Sequence, residues 1–244
     1  EQHGSFLILG SIFQDLPHQI LNQSIDLLNY LITTLNSPQL HSFSLYNIIV
    51  LSRYDKEFFL KNHYTTIYDI LINDNLTQNV TFLQSHCFLL FYLTFSEQVI
   101  SNEAKMIEIL DNLINYKETI NQAYRIIHHI SKNFSEFLTK NDQFFMSLFL
   151  KSIPFMKEIT HEFVDLIQLV PNLFDENLFG QVVLTEIERN QTSNLLEFFS
   201  LCPSFKNSEI DEILLTMLSS SDQEIRKLAP SALLNQLSYD DRTF

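Results

Sequence analysis

The residues most capable of chemistry in this sequence lie together at positions 161–165, which read His161, Glu162, Phe163, Val164 and Asp165. Zinc proteases carry His-Glu-x-x-His on a helix, because that spacing puts two imidazoles on one face. Here the fifth position is an aspartate. A metal ion at this place would need further ligands from distant parts of the chain. A helical metalloenzyme is therefore the weakest functional hypothesis, and we expect no metal and no cofactor.

Two pairs of adjacent residues offer the remaining chemical groups, His86 with Cys87 and His128 with His129. Neighbouring residues on an α-helix point about 100° apart, so neither pair can easily hold one ion. Cys87 would need a third group to orient His86 before it could act as a nucleophile, and none is recognisable. We therefore assign no catalytic residue. Cys87 and Cys202 are predicted to be reduced and buried, which indicates the cytoplasm or the nucleus.

The elements that carry these residues recur along the chain. Five apolar doublets mark the centres of five predicted long helices, and they lie at 48–49, 88–89, 126–127, 166–167 and 198–199. The intervals between them are 40, 38, 40 and 32 residues. Each interval holds a predicted short helix and then a medium one. With only 3 glycines for tight turns, helices joined by short loops are favoured over strands.

Helix starts are predicted where a polar side chain can accept hydrogen bonds from the first free backbone amides. Suitable residues are Ser37 before Pro38, Ser96 followed by Glu97, Thr160 followed by Glu162, and Ser221 with Asp222 before Gln223. We therefore expect helices to begin immediately after these positions.

This order of short, medium and long helices, repeated about every 40 residues, resembles the armadillo-type repeat. The resemblance is carried best by segments 27–52 and 217–237. It implies an all-α, right-handed α-solenoid of about six three-helix repeats, which bury one continuous core. The shorter fourth interval suggests a degenerate, HEAT-like or trimmed unit. We expect residues 1–244 to form a single domain and, because position 1 is Glu1, to be a fragment of a longer protein.

In armadillo-like arrays the long helices line a concave groove that binds peptides, and here they carry two polar columns. Aligned positions give Ser44, Gln84, Gln122, Glu162 and Asn194 in one column and Asn47, Cys87, Arg125, Asp165 and Glu197 in the other. Columns three residues apart share a helix face, so we predict one polar ladder. The predicted partner-binding residues are Gln122, Arg125, Glu162, Asp165, Asn194 and Glu197. A third column, Leu51, Phe91, His129, Leu169 and Leu201, is predicted as core. The alternative for the ladder is a solvated helix face without a partner.

The charge of the chain limits the classes of partner. The formal net charge is −14, and residues 171–224 hold ten acidic residues against Arg189 and Lys206. Nucleic acid and anionic membranes need clustered bases, so neither is expected as a partner.

We therefore expect a non-enzymatic scaffold for protein–protein interaction, which binds a protein or peptide segment along the groove, with Lys or Arg favoured at the acidic end. The alternative is a regulatory or interaction region of a larger enzyme such as a protein kinase. A structural role, in which a neighbouring subunit fills the groove, also remains open.

Overall fold

The computed structural model describes residues 25–37, 40–53, 55–73, 81–169, 195–196, 199–200 and 208–237. Within these ranges the regular elements are helices and no strand occurs, so the predicted all-α class is confirmed for this part of the chain. The chain divides into two compact units, 1–113 and 114–244.

The first unit contains six helices in its described part. They are α1 (Ile25–Thr34), α2 (His41–Ser52), α3 (Lys56–Asn62), α4 (Tyr64–Asn73), α5 (Phe82–Thr94) and α6 (Ser96–Ile100). A seventh, α7 (Glu103–Ile114), ends one residue past the boundary. The long helices predicted around the doublets at 48–49 and 88–89 are therefore confirmed as α2 and α5.

The second unit contains the remaining described helices. They are α8 (Ile120–Asn133), α9 (Ser135–Lys140), α10 (Asp142–Ser152), a 3-10 turn (Ile153–Phe155), α11 (Met156–Leu169), α12 (Ser208–Met217) and α13 (Gln223–Leu237). The short, medium and long order is confirmed for α9, α10 and α11. The doublet at 198–199 lies only partly within the described residues.

Helix starts follow side-chain capping at three described positions. Asp55 accepts a hydrogen bond from the Phe58 amide at 3.0 Å. Thr81 forms a capping box with Gln84, in which each side chain accepts from the other residue's backbone amide. The carboxylate of Asp222 accepts from the Glu224 amide at 2.8 Å, which confirms that predicted start. Such caps satisfy backbone donors that have no partner within the helix.

The predicted cap at Ser37 is wrong, because the N-cap of α2 is Leu40, which makes no side-chain capping bond.

Two more predicted caps are wrong. Ser96 is the first residue of α6, and the N-cap position belongs to Phe95, which makes no side-chain capping bond. Thr160 is buried inside α11, because that helix already begins at Met156 directly after the 3-10 turn. Phe155, which precedes Met156, has no side-chain acceptor for a capping bond, so the sequence offered no signal for this junction.

Aromatic side chains join α4 to α5 in the first unit. The Tyr64 ring lies 5.5 Å from the ring centroids of both Phe91 and Phe95, and the Tyr68 ring lies 6.3 Å from that of Phe91. Tyr64, early in α4, contacts Phe95 near the end of α5, and Tyr68, later in α4, contacts the earlier Phe91. The two helices therefore run antiparallel. Burial within this cluster raises the pKa of Tyr64 to about 12. A medium helix thus covers one side of a long helix that is apolar nearly all round.

Helices α8 and α11 pack side by side and run in the same direction in the second unit. Lys117, just before α8, forms an ion pair with Glu158 at 2.5 Å. The Tyr124 ring contacts the Phe163 ring at a centroid distance of 5.8 Å. The two residues of the first pair are 41 positions apart in the sequence, and those of the second pair are 39 positions apart. In an antiparallel pair, this sequence separation would fall by two for every residue that one advances along α8. The separation is nearly constant over the seven residues from Lys117 to Tyr124, so the helices are parallel.

Candidate functional site

The structure describes four of the six predicted partner-binding residues. Arg125 on α8 and Asp165 on α11 are exposed, Glu162 on α11 is half-exposed, and Gln122 on α8 is buried. Asn194 and Glu197 lie outside the described residues. The predicted ladder is therefore present at the surface of the second unit only in part.

Gln122 faces inward, so its assignment to an exposed ladder is corrected. The residue is 5% exposed. With its amide turned to suit its neighbours, the nitrogen donates to the carbonyl oxygens of Glu118 (3.3 Å) and Thr119 (3.1 Å). A side-chain amide that donates to backbone carbonyl groups of the preceding turn can be buried at little cost. Gln122 therefore supports the start of α8 rather than a partner.

The polar ladder is wrong for three of its four residues in the first unit, and only Gln84 is half-exposed there. Ser44, Asn47 and Cys87 are each 0% exposed. The Ser44 hydroxyl donates to the Leu40 carbonyl at 2.9 Å and lies 2.8 Å from the Thr34 hydroxyl. The Asn47 amide donates to the Phe43 carbonyl at 2.7 Å. Small polar side chains can bond back to the preceding turn in this way, so their polarity did not indicate exposure.

A stack of rings takes the place of the ladder on α2 and α5. The Phe82 and His86 ring centroids are 6.0 Å apart with planes 5° from parallel. The His86 and Tyr46 centroids are 6.2 Å apart with planes 25° from parallel. Phe82 is 56% exposed, while Tyr46 and His86 are half-exposed. Tyr46 and His86 occupy the same repeat position, 40 residues apart, and this column was the signal that the sequence reasoning missed.

The column predicted as core behaves differently in the two units. Leu51 and Phe91 are buried in the first unit, as predicted. In the second unit His129 is half-exposed and Leu169 is 41% exposed, so the prediction is wrong there. Leu201 lies outside the described residues. Leu169 follows Asp165 by one helical turn, and therefore adds an apolar side chain to the exposed face of α11.

The exposed faces of α8 and α11 carry opposite charges. Arg125 and Lys132 are exposed on α8, where the spacing of seven residues keeps them on one face. Glu162 and Asp165 lie on the face of α11. Arg125 and Asp165 are 40 residues apart, within the 39–41 offset that sets the register of these parallel helices. They therefore lie at the same level on adjacent helices.

Two of the groups considered for catalysis, Cys87 and His161, differ in their exposure to solvent. Cys87 is fully buried, and desolvation raises the pKa of its thiol to about 12, so it cannot act as a thiolate nucleophile at neutral pH. His161 is exposed on α11. The described residues contain no group of three His, Cys, Asp or Glu side chains that could hold a metal ion.

Comparisons with known proteins add no relative, since no family model, no curated protein and no solved structure matches this chain. A separate observation concerns membranes. Across the described ranges, no helix has both the length and the apolar character that a bilayer span requires.

Proposed function

We propose that this protein is a non-enzymatic interaction module, which binds a segment of another protein across the exposed faces of α8 and α11. The observation that carries the proposal is the pair of acidic side chains Glu162 and Asp165 on α11, which is held in parallel register beside α8. These carboxylates would accept charge-assisted hydrogen bonds from Lys or Arg of the partner.

The contact would combine charge with some apolar burial. An exposed ion pair contributes only about 0.2–1 kcal/mol, so two carboxylates alone give weak binding. Leu169, one turn beyond Asp165, supplies apolar surface that a partner side chain could cover. The net charge of −14 would also attract a basic segment during encounter. We therefore expect a modest affinity that depends on salt concentration.

The test compares two variants that lose the same number of negative charges. Glu162→Gln with Asp165→Asn removes the two acids of the surface. Glu118→Gln with Glu136→Gln removes two exposed acids elsewhere in the same unit. Binding of a short labelled peptide rich in Lys and Ser is measured by fluorescence anisotropy.

We expect the first variant to bind about three- to tenfold more weakly than the unmodified protein, which corresponds to the loss of about 0.7–1.4 kcal/mol. The control variant should keep most of the affinity. Equal weakening by both variants would mean that only net charge matters, and it would overturn the proposed site. No weakening by either would overturn it as well.

A further inference from the structure

We propose that the bound segment crosses α8 and α11 in an extended polyproline-II conformation, with an acidic residue over Arg125 and a basic residue three positions away over Asp165. This inference rests on the proposed function and names the chemistry of the partner. It follows from the register of the two helices, the sign of the charges on each, and the distance between their axes.

The register brings one positive and one negative group to the same level. Lys117 with Glu158 and Tyr124 with Phe163 fix the offset at 39–41 residues. Arg125 and Asp165 differ by 40 positions and both are exposed. Within the part of the chain that the structure describes, they form no ion pair with each other within 4.0 Å. Both charges are therefore directed to solvent.

Among the charged residues whose side chains the structure describes, those on α8 are basic and those on α11 are acidic. The α8 face carries Arg125 and Lys132, and the α11 face carries Glu162 and Asp165. A uniformly basic segment would be attracted by α11 but would lose part of that attraction to repulsion from α8, and a uniformly acidic one would be repelled by α11. Packed helix axes lie about 8–10 Å apart, which is comparable to the screening length of about 8 Å at physiological ionic strength, so the repulsion is felt. A segment with both signs avoids it.

The distance between the helices sets the spacing in the partner. Packed helix axes lie about 8–10 Å apart. A polyproline-II segment rises about 3.1 Å per residue and has three residues per turn, so residues three apart share one face at a separation of about 9 Å. In a β-strand, residues three apart point to opposite faces. Residues two or four apart in a β-strand do share a face, but their separations of about 7 Å and about 14 Å do not match the 8–10 Å between packed helices, whereas the polyproline-II spacing does.

The test uses two peptides of identical composition in a proline-rich background. One contains Glu-Pro-Pro-Arg, with the charges three positions apart, and the other contains Pro-Glu-Arg-Pro, with the charges adjacent. Each is titrated against the unmodified protein, Arg125→Gln, and the control Lys61→Gln, which removes an exposed positive charge in the other unit. The variant Glu162→Gln with Asp165→Asn, in which both acids are replaced by neutral amides, is included and is called the acid-neutral variant.

We expect the peptide with the wider spacing to bind the unmodified protein at least about fivefold more tightly. Arg125→Gln should remove this preference, and Lys61→Gln should keep it. Equal binding of the two peptides, or a preference that survives Arg125→Gln, would overturn the inference. If the acid-neutral variant still weakens both peptides in that case, the proposed function stands without this detail. If no variant changes the binding of either peptide, both proposals fail.

Discussion

The burial of individual polar residues is the feature that was hardest to predict from the sequence. Ser44, Asn47 and Gln122 occupy positions that look exposed in an alignment of the repeats, yet all three are buried. Each makes a hydrogen bond to the backbone of its own helix. Residue type gives the capacity to form such a bond, but only the packed structure decides whether water or a carbonyl group accepts it. Exposure of Arg125 and Asp165 was predictable because burying an unpaired charge is costly.

The hydrogen bond between Tyr124 and Ser152 tests this account of buried polar groups. The Tyr124 hydroxyl donates to the Ser152 oxygen at 2.9 Å, and the Ser152 hydroxyl donates to the Leu148 carbonyl at 2.7 Å. Tyr124→Phe removes the first bond and leaves the second intact. We expect the free energy of unfolding to fall by about 1 kcal/mol. Urea denaturation measures the change.

The matched control is Tyr116→Phe, which removes a hydroxyl from a side chain that is 37% exposed. It should change the free energy of unfolding by less than about 0.5 kcal/mol. Equal effects of the two substitutions would contradict the assignment of a stabilising role to the buried bond.

The thiol of Cys87 should be unreactive in the folded protein. It is fully buried, and its pKa is raised to about 12, so almost no thiolate is present at neutral pH. In a Cys202→Ser background, an aromatic disulfide reagent should modify Cys87 only after urea unfolds the chain. Rapid modification without denaturant would show that Cys87 is accessible and would reopen the nucleophile hypothesis.

Protonation of His129 should destabilise the folded state as the pH falls. Desolvation, and after it the neighbouring His128, holds the pKa of His129 below its ordinary value of 6.5. The unfolded chain therefore gains a proton at a higher pH than the folded chain does, and stability is lost as the pH falls through 6.5 towards the lower folded value.

His129→Gln should reduce that loss in urea denaturation series at decreasing pH, since glutamine does not titrate. The exposed Gln143, which does not titrate, provides the control, and Gln143→Ala should leave the pH dependence as it is in the unmodified protein. A pH dependence that does not respond to His129→Gln would contradict the prediction.

The helices are the level at which sequence reasoning succeeded best. The predicted long helices appear as α2, α5, α8 and α11, because apolar doublets about 40 residues apart mark the parts that must be buried. The bounds are less predictable. Helix α5 begins directly after a capping box at Thr81, whereas α11 continues from a 3-10 turn that ends at Phe155, which has no side-chain acceptor for a capping bond. A start without such an acceptor leaves no pattern to detect.

The capping box of α5 should stabilise the first unit measurably. Thr81 accepts from the Gln84 amide at 3.3 Å, and the Gln84 side chain accepts from the Thr81 amide at 2.9 Å. Thr81→Ala removes the first of these bonds, and we expect the free energy of unfolding to fall by about 1 kcal/mol. Thermal or urea unfolding provides the measurement.

Thr66→Ala provides the control, because Thr66 is exposed within α4. Alanine has the higher helix propensity, so this substitution should leave stability unchanged or raise it slightly. A loss at Thr66 as large as the loss at Thr81 would show that the capping box is not the cause.

The arrangement of helices within each unit is the feature that gives the protein its proposed role. In the first unit α2 packs against α5, and in the second α8 packs against α11. In both cases the contacting rings come from positions 39 or 40 residues apart. The repeat interval predicted this pairing of long helices. It did not predict that the first pair would present rings and the second pair charges, because the aligned columns mix buried and exposed positions. The solenoid of about six repeats stays a prediction.

The parallel register of α8 and α11 underlies the proposed surface, so it is the central claim to measure. Spin labels are placed at exposed positions in a Cys202→Ser background. One pair is Lys132→Cys with Leu169→Cys, and the other is Lys132→Cys with His161→Cys. With an offset of about 40 residues and a rise of 1.5 Å per residue, the first pair is separated along the axes by about 5 Å and the second by about 16 Å.

We therefore predict that the distance between the labels at positions 132 and 169 is clearly shorter than the distance between those at positions 132 and 161. Antiparallel helices that kept the Tyr124 contact to Phe163 would reverse this order. A longer distance to position 169 than to position 161 would contradict the register, and with it the single surface on which Arg125 and Asp165 lie together.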